Sequence, residues 1–343
     1  MSTHRVLSAT ETGPEEEAFS RSLRPSCLDD FVGQRDLVER LRIAIQASRA
    51  RGESMEHVML HGPPGLGKTT LAHLIAHEMG STAHITSGPA LTRGSDLVGA
   101  LTRLEAGDVL FIDEIHRLPV AVEEFIYPAM EDFRIDVAVD SGMHARTVSI
   151  TLKPFTLIGA TTRAGMVSAP LRSRFGSAFH LTLYDDDDLH RILTRSCRML
   201  DIESTRSEVL STIASRSRGT PRIANRLLRR VRDYAQVRAT GEITTPVVEE
   251  SLALEGVDAL GLDALDRAYL GTIAGVYDGG PVGLEALAAT LGEDSGTLED
   301  VVEPFLLQRG LVARTRRGRE LTSRGSEHSH AARNGSLFTS QSA

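Results

Sequence analysis

The sequence predicts an α/β protein in which a parallel sheet flanked by helices is followed by a small helical domain and then a winged helix. Three observations carry that expectation. Short apolar runs alternate with helix-period patterns from residue 21 to residue 184, strand signals stop at Asp185, and alternating residues near Leu311 flank a basic turn.

Residues 1–20 and 324–343 are rich in small and polar residues, lack apolar periodicity, and are expected to be disordered tails. Within 21–184, His57–Leu60, His84–Thr86, Val109–Ile112 and Thr156–Ile158 read as strands, each followed by turn or helix-start residues. The run Asp185-Asp186-Asp187-Asp188 precedes Leu189, Ile192 and Leu193, so these acids are expected to cap a helix and its dipole rather than to bind a metal. That helix opens a helical domain over 185–256. Its last clear helix begins at Thr220-Pro221, a hydroxyl N-cap with proline at the first helical position, and places Ile223, Leu227, Val231 and Ala235 on one face. Glycines from Gly256 to Gly261 punctuate a break before a third unit, 257–323. There Leu262–Val276, Leu284–Leu291 and Thr297–Gln308 read as helices, and Leu311, Ala313 and Leu321 bracket the turn Arg314-Thr315-Arg316-Arg317-Gly318-Arg319.

Composition narrows the function. With 41% hydrophobic and 24% charged residues, global disorder is excluded. The net charge of −8, from 38 basic and 46 acidic residues, excludes coating of nucleic acid by bulk charge, so any such contact is local. Cys27 and Cys197 lie far apart without metal-ligand neighbours, which fits a reducing cytoplasm. Glu11, Glu15, Glu16 and Glu17 stand where a secretory signal needs basic residues, and no stretch has the roughly 18 apolar residues of a membrane span.

Gly62-Pro63-Pro64-Gly65-Leu66-Gly67-Lys68-Thr69 matches the phosphate-binding pattern G-x-x-x-x-G-K-[ST] between a predicted strand and a helix starting near Thr70. Glycines such as Gly65 and Gly67 let backbone N–H groups face phosphates; Lys68 reaches the β- and γ-phosphates, and Thr69 offers an oxygen to Mg²⁺. Lys68 is one of only two lysines, Lys153 being the other. The apolar strand Val109–Ile112 ends in Asp113-Glu114, a pair suited to holding hydrated Mg²⁺ and polarising water. Phe155–Ala160 delivers Thr161 and Thr162 to the same sheet edge, where either could instead cap a turn. Arg134–Val139 and Thr147–Leu152 read as a hairpin around Ser141-Gly142. His73 and His77 share a helix face, yet lack the H-E-x-x-H pattern and a third ligand, and His328 and His330 make a weaker metal site still.

Leu23-Arg24-Pro25, Phe31-Val32-Gly33-Gln34, the phosphate loop, Asp113–Arg117, Gly159–Arg163 and Gly219–Arg222 together resemble the AAA+ ATPases. Thr86–Leu91, Tyr127–Phe133, Arg222–Asp233 and Gly280–Leu284 are distinctive of the RuvB family of Holliday-junction branch-migration motors, and the resemblance runs from residue 21 to residue 320. It implies an ATP hydrolase of helicase type, a homohexameric ring pumping duplex DNA in recombination and repair, with ATP and Mg²⁺. It also implies a RuvA-like junction-binding partner docked on the hairpin and a RuvC-like resolvase. Leu23, Arg24, Glu131, Asp132, Phe133 and Tyr184 would frame the nucleotide near the lid. Lys68, Thr69 and Thr70 would hold phosphates and metal, Asp113 and Glu114 would serve metal and water, and Thr162 would be the sheet sensor. Arg222 would sense the γ-phosphate, and Arg174 would be a finger reaching a neighbouring subunit's nucleotide. Its neighbour Arg172 is an alternative on residue type alone. Six arginines against one acid, Glu320, lie between Arg309 and Arg324, and the resemblance makes Arg314 and Arg319 DNA contacts. Arg316 stands where the family usually has proline, and Ser295 where some relatives have arginine. Aromatics at 4%, with no tryptophan, disfavour a base-stacking platform. Rival readings are a clamp-loader subunit, a protein remodeller, or a nucleotide-binding scaffold that does not hydrolyse ATP.

Overall fold

The computed structural model describes residues 6–7, 13–138, 147–202 and 206–329, and the chain divides into two compact units. One is Glu15–Tyr184; the other runs from Asp185 and includes residues 6–7. The turn at Ser141-Gly142 and His330 lie outside the described residues.

The strands of the first unit are β1 (Val58–His61), β2 (Ala83–Ser87), β3 (Val109–Asp113), β4 (Arg134–Ala138), β5 (Thr147–Thr151), β6 (Thr156–Thr161) and β7 (Ser177–His180). Five of them form one parallel sheet in the order β2-β3-β6-β1-β7. Its central strands are unbroken apolar runs because helices cover both faces: Val109 to Ile112 and all of β6 are buried. The helices are α1 (Pro14–Ser22), α2 (Arg35–Arg51), α3 (Lys68–Met79), α4 (Gly94–Leu101), α5 (Val120–Glu131) and α6 (Ala169–Arg172). β7 escapes the sequence reading because it is a four-residue edge strand in which only Phe179 is buried, so neither an apolar run nor a full alternation announces it. α1 likewise forms where a disordered tail is expected. Proline opens it, Glu15, Glu16 and Glu17 sit at the positive end of its dipole, and Arg21 pairs with Glu17 at 2.8 Å. β4 and β5 pair antiparallel, with Ile135 opposite Ile150 and Val137 opposite Val148.

The second unit contains α7 (Asp186–Met199), α8 (Ser207–Ser215), α9 (Pro221–Arg238), α10 (Thr245–Leu254), α11 (Ala264–Val276) and α12 (Leu284–Leu291). A helical run over 295–308, with a π turn at Leu298–Val302, leads into the hairpin β8 (Val312–Thr315) and β9 (Gly318–Leu321). Asp185 caps α7 as expected, its carboxylate accepting from the Asp188 N–H at 2.7 Å. Thr220 does not cap α9 with its hydroxyl, which donates instead to the Arg218 carbonyl at 3.2 Å. Nor is α9 the last lid helix, since α10 follows it and buries Val247, Val248 and Leu252. Residues 323–329 are helical rather than irregular. The lid and the winged helix, read from the sequence as separate modules, pack as one unit. Arg309 donates to the Ser215 carbonyl at 2.8 Å, and Arg218 is buried against Asp266 at the start of α11. The winged-helix core is built on Tyr269, Leu270, Ile273, Leu287, Val302, Phe305 and Leu311. Among the described residues no helix is long and apolar enough to cross a membrane.

Candidate functional site

Parallel strands deliver their C-terminal ends to one sheet edge, where open α/β sheets bind ligands. β1 ends at His61, and the loop Gly62–Gly67 carries the chain into α3. Gly62 has φ +143°, and a Cβ there would lie 2.3 Å from the Leu181 carbonyl oxygen, so only glycine lets the loop leave the strand at this point. α3 starts from Gly67 with φ +100°, no side-chain cap and no acid in its first turn, which leaves its N–H groups and positive dipole end for an anion. The Lys68 ammonium, with the residue only 8% exposed, donates to the carbonyls of Gly62 and Pro63 at 2.8 Å each. This lysine is folded into the loop it serves. Tyr184 donates from its hydroxyl to the Leu66 carbonyl at 3.2 Å and so braces the same loop. Phe31 lies against Gly67, and the backbone N–H of Leu28 donates to Glu78 of α3 at 3.1 Å. The segment that carries Leu23 and Arg24 therefore leads directly into a stretch packed on the phosphate-loop helix.

At the end of β3, Asp113 accepts from the Glu114 N–H at 2.9 Å. Glu114 has φ +47°, which turns its side chain away from the strand, and its carboxylate pairs with Arg117 at 2.9 Å. That partner was not anticipated from the sequence, although an i,i+3 acid–base spacing signals it. At the end of β6, Thr161 is fully buried, 2.9 Å from His116 Nδ1 and accepting from the Arg163 N–H at 3.0 Å, whereas Thr162 is exposed. Thr161 thus fills the turn-closing role and leaves Thr162 as the polar group presented at the edge. His61 stacks on His180 at 4.8 Å beside this loop, and burial, then His180 and Lys68, hold its imidazole below the ordinary value.

Glu131, Asp132 and Phe133 stand apart from the phosphate loop. They lie where α5 runs into β4, against the start of β1. His57 Nε2 donates to the Met130 carbonyl at 3.0 Å, and the Phe133 ring meets those of His57 and Phe155 at 6.3 and 5.8 Å. From His57 to Gly62 is five residues of strand, about 16 Å. These residues therefore do not frame the phosphate loop of their own chain. Arg174 shares their end of the sheet. Its guanidinium lies 3.0 Å from Glu131, 4.3 Å over the Tyr127 ring, and donates to the Pro170 carbonyl at 2.6 Å. Arg172 instead donates to the Val167 carbonyl at 3.0 Å. Arg222 is the second residue of α9 in the other unit.

In the winged helix, β8 and β9 pair Arg314 with Arg319. Both point at Glu303, a carboxylate that no motif singled out. Val148 on the hairpin β4–β5 is 48% exposed, an apolar side chain facing solvent. His73 and His77 are exposed on α3, and among the described residues no His, Cys, Asp or Glu cluster could hold a metal ion.

A parallel sheet with a lysine-bearing phosphate loop after its first strand and a carboxylate pair after its third, followed by a lid and a winged helix, defines the AAA+ P-loop class. Family models match the chain in the same order: the Holliday junction DNA helicase RuvB P-loop domain over residues 23–181, the RuvB AAA lid domain over 184–258, and the RuvB C-terminal winged helix domain over 259–330. The Holliday junction branch migration motor RuvB of Thermotoga maritima is 49% identical across 90% of this chain and 98% of its own, with a TM-score of 0.81. A threonine-to-valine point mutant of that protein is 48% identical over the same shares, with a TM-score of 0.80. The Aeropyrum pernix ORC2 protein, 13% identical over 93% of this chain and 98% of its own, shares the fold alone at a TM-score of 0.54. The chain belongs to the RuvB family.

Proposed function

We propose that this chain is a cytoplasmic, ATP-hydrolysing motor that assembles as a homohexameric ring and drives branch migration of four-way DNA junctions. The observation that carries the reading is the buried Lys68 ammonium in a glycine-shaped loop at the same edge of the parallel sheet as Asp113 and Glu114, in a chain with RuvB-family models along its length. The uncapped, acid-free start of α3 fits a triphosphate. Lys68 exchanges its two carbonyl partners for phosphate oxygens, and Gly65, Gly67 and Thr70 line the same turn. Thr69 and Asp113 are the residues that would hold magnesium, which when bound screens phosphate charge. Glu114, released from Arg117, orients the attacking water and accepts its proton. Thr162 and Arg222 respond to the γ-phosphate, with Leu23, Arg24 and Tyr184 on the nucleotide's base and ribose side.

Arg174, with Glu131, Asp132 and Phe133, acts on the nucleotide of the adjacent copy. Their place at the far end of β1 from their own phosphate loop supports that reading. Residues 21–184, 185–256 and 257–323 serve as motor, lid and DNA-contacting head. The hairpin with exposed Val148 is the docking point for a RuvA-like junction binder, and a RuvC-like resolvase acts on the same junction. The test is a branch-migration assay on a synthetic four-way junction with purified RuvA-like partner. Wild type should dissociate the junction only with ATP, and Glu114→Gln should bind ATP while turnover falls about 10²- to 10⁴-fold. ATP turnover without strand exchange would favour another AAA+ machine.

A further inference from the structure

Glu123, Tyr127 and Glu131 stand four residues apart on α5, so helix geometry places them in one row along a single face. The segment 168–174, which carries Arg174, meets all three. The Ser168 hydroxyl donates to Glu123 at 2.7 Å, and the Arg174 guanidinium lies against Tyr127 and Glu131. Ser168 is also the N-cap of α6, its oxygen accepting from the Leu171 N–H at 3.3 Å. Glu123 thereby helps to set where the short helix before Arg174 begins. This carboxylate is buried, and the oxygen that serves Ser168 also accepts from the Tyr127 hydroxyl at 2.9 Å. With the ring packed on the sheet core as well, Tyr127 has little freedom to turn.

The Tyr127 ring lies under the face of the Arg174 guanidinium, at 4.3 Å. Stacking engages only that face and leaves the N–H donors, which lie in the guanidinium plane, able to exchange partners. One of them binds the Pro170 carbonyl at 2.6 Å. Nε is buried and makes no hydrogen bond among the described residues, although Glu131 Oε1 is 3.0 Å away. A donor that is buried and misaligned with its nearest acceptor loses little on changing partner. Arg172, from the same short helix, turns instead to the Val167 carbonyl.

We propose that Tyr127 is a positioning residue for Arg174: its ring, held by Glu123, is the plate on which the guanidinium is carried to the γ-phosphate of the adjacent copy's nucleotide. This rests on the reading of Arg174 as a finger acting in trans. An arginine that swings freely loses rotamer freedom when it engages phosphate. One already stacked has given up much of that freedom in the resting protomer, so less is lost in the transition state. Glu131 and the Pro170 carbonyl hold the in-plane donors until phosphate oxygens replace them.

The test is steady-state ATP turnover of the full chain on duplex DNA, with wild type diluted into an excess of Lys68→Ala, so that wild-type phosphate loops take their finger from inactive neighbours. Adding Tyr127→Leu to the Lys68→Ala chain should lower turnover per wild-type chain by about 2- to 30-fold, the range of a single cation–π contact. Tyr127→Phe in its place keeps the ring and should recover most of that loss. Tyr127→Leu alone, diluted into excess Lys68→Ala, should regain the turnover it lacks as a pure protein, whereas a merely structural role would leave the defect with the variant copy. Lys68→Ala combined with Arg174→Ala separates the two readings. A loss with that partner but none with Tyr127→Leu overturns the proposal and keeps the finger in trans; no loss with either overturns both. Should Lys68→Ala alone silence mixed rings, pure Tyr127→Leu must lower kcat by the same factor with KM for ATP unchanged. Equal kcat in wild type and Tyr127→Leu then overturns the proposal.

Discussion

The guanidinium of Arg218 is buried against the carboxylate of Asp266, joining the loop before α9 to the first helix of the winged-helix fold. Arg218 is 3% exposed and Asp266 0%, and the arginine also lies 4.8 Å over the Phe305 ring. Asp266 has a second task, accepting from the Asp263 N–H at 2.9 Å in a capping box that starts α11. The segment that leads into Arg222 is thus fastened to the head by a desolvated charge pair. We expect lid and head to move as one body when the lid responds to nucleotide.

Asp266→Ala strands a buried guanidinium, and removing one partner of such a pair costs about 3 to 5 kcal/mol. Urea unfolding should show that loss, whereas replacing both partners by apolar residues of similar volume, Arg218→Met with Asp266→Leu, should recover most of it. A midpoint unmoved in Asp266→Ala would mean that the pair contributes nothing to holding the unit together.

Arg174 and Lys68 sit at opposite ends of β1, and on the proposed function each active site takes one from each of two copies. Arg174→Ala should lower ATP turnover by about 10³- to 10⁵-fold, and Lys68→Ala should abolish it. Mixing the two inactive proteins should restore turnover, because an Arg174→Ala phosphate loop can receive the finger of a Lys68→Ala neighbour. Absence of recovery at every mixing ratio would place Arg174 on its own nucleotide.

Gly62→Ala tests the loop's geometry. With φ +143° and a backbone oxygen 2.3 Å from the added methyl, the strand exit must shift, at a cost of about 1 to 3 kcal/mol. Binding of a fluorescent ATP analogue should weaken with it. Gly165→Ala, where a methyl meets open space, should leave both stability and nucleotide binding unchanged.

His57 makes the protein sensitive to acid. Its Nδ1 accepts from the Leu157 N–H at 2.9 Å, its Nε2 donates to Met130, and burial holds its pKa below the ordinary value near 6.5. The unfolded chain therefore takes up the proton first. Stability is complete above about pH 6.5 and falls as pH drops through that value toward the folded pKa. Melting temperatures across this window should decline less in His57→Asn than in wild type, and parallel curves would dismiss the histidine as the cause.

Much of this was legible in the chain. The phosphate loop, the Asp113-Glu114 strand end, the Asp185 cap and the winged-helix pattern rest on periodicities and spacings a few residues long, and local backbone preferences decide those. β7 and α1 were not legible, since their stability comes from pairing with β1 and from terminal charges rather than from an apolar repeat. The sites divide along the same line. Residue types at fixed spacing named Lys68 and Asp113, but no spacing reveals that Glu131 and Arg174 meet across 43 residues, or that Glu303 pairs with both Arg314 and Arg319. A charge's effect depends on its distance through space from other charges and on its removal from water. Those quantities come into being only when the packed core brings distant segments together.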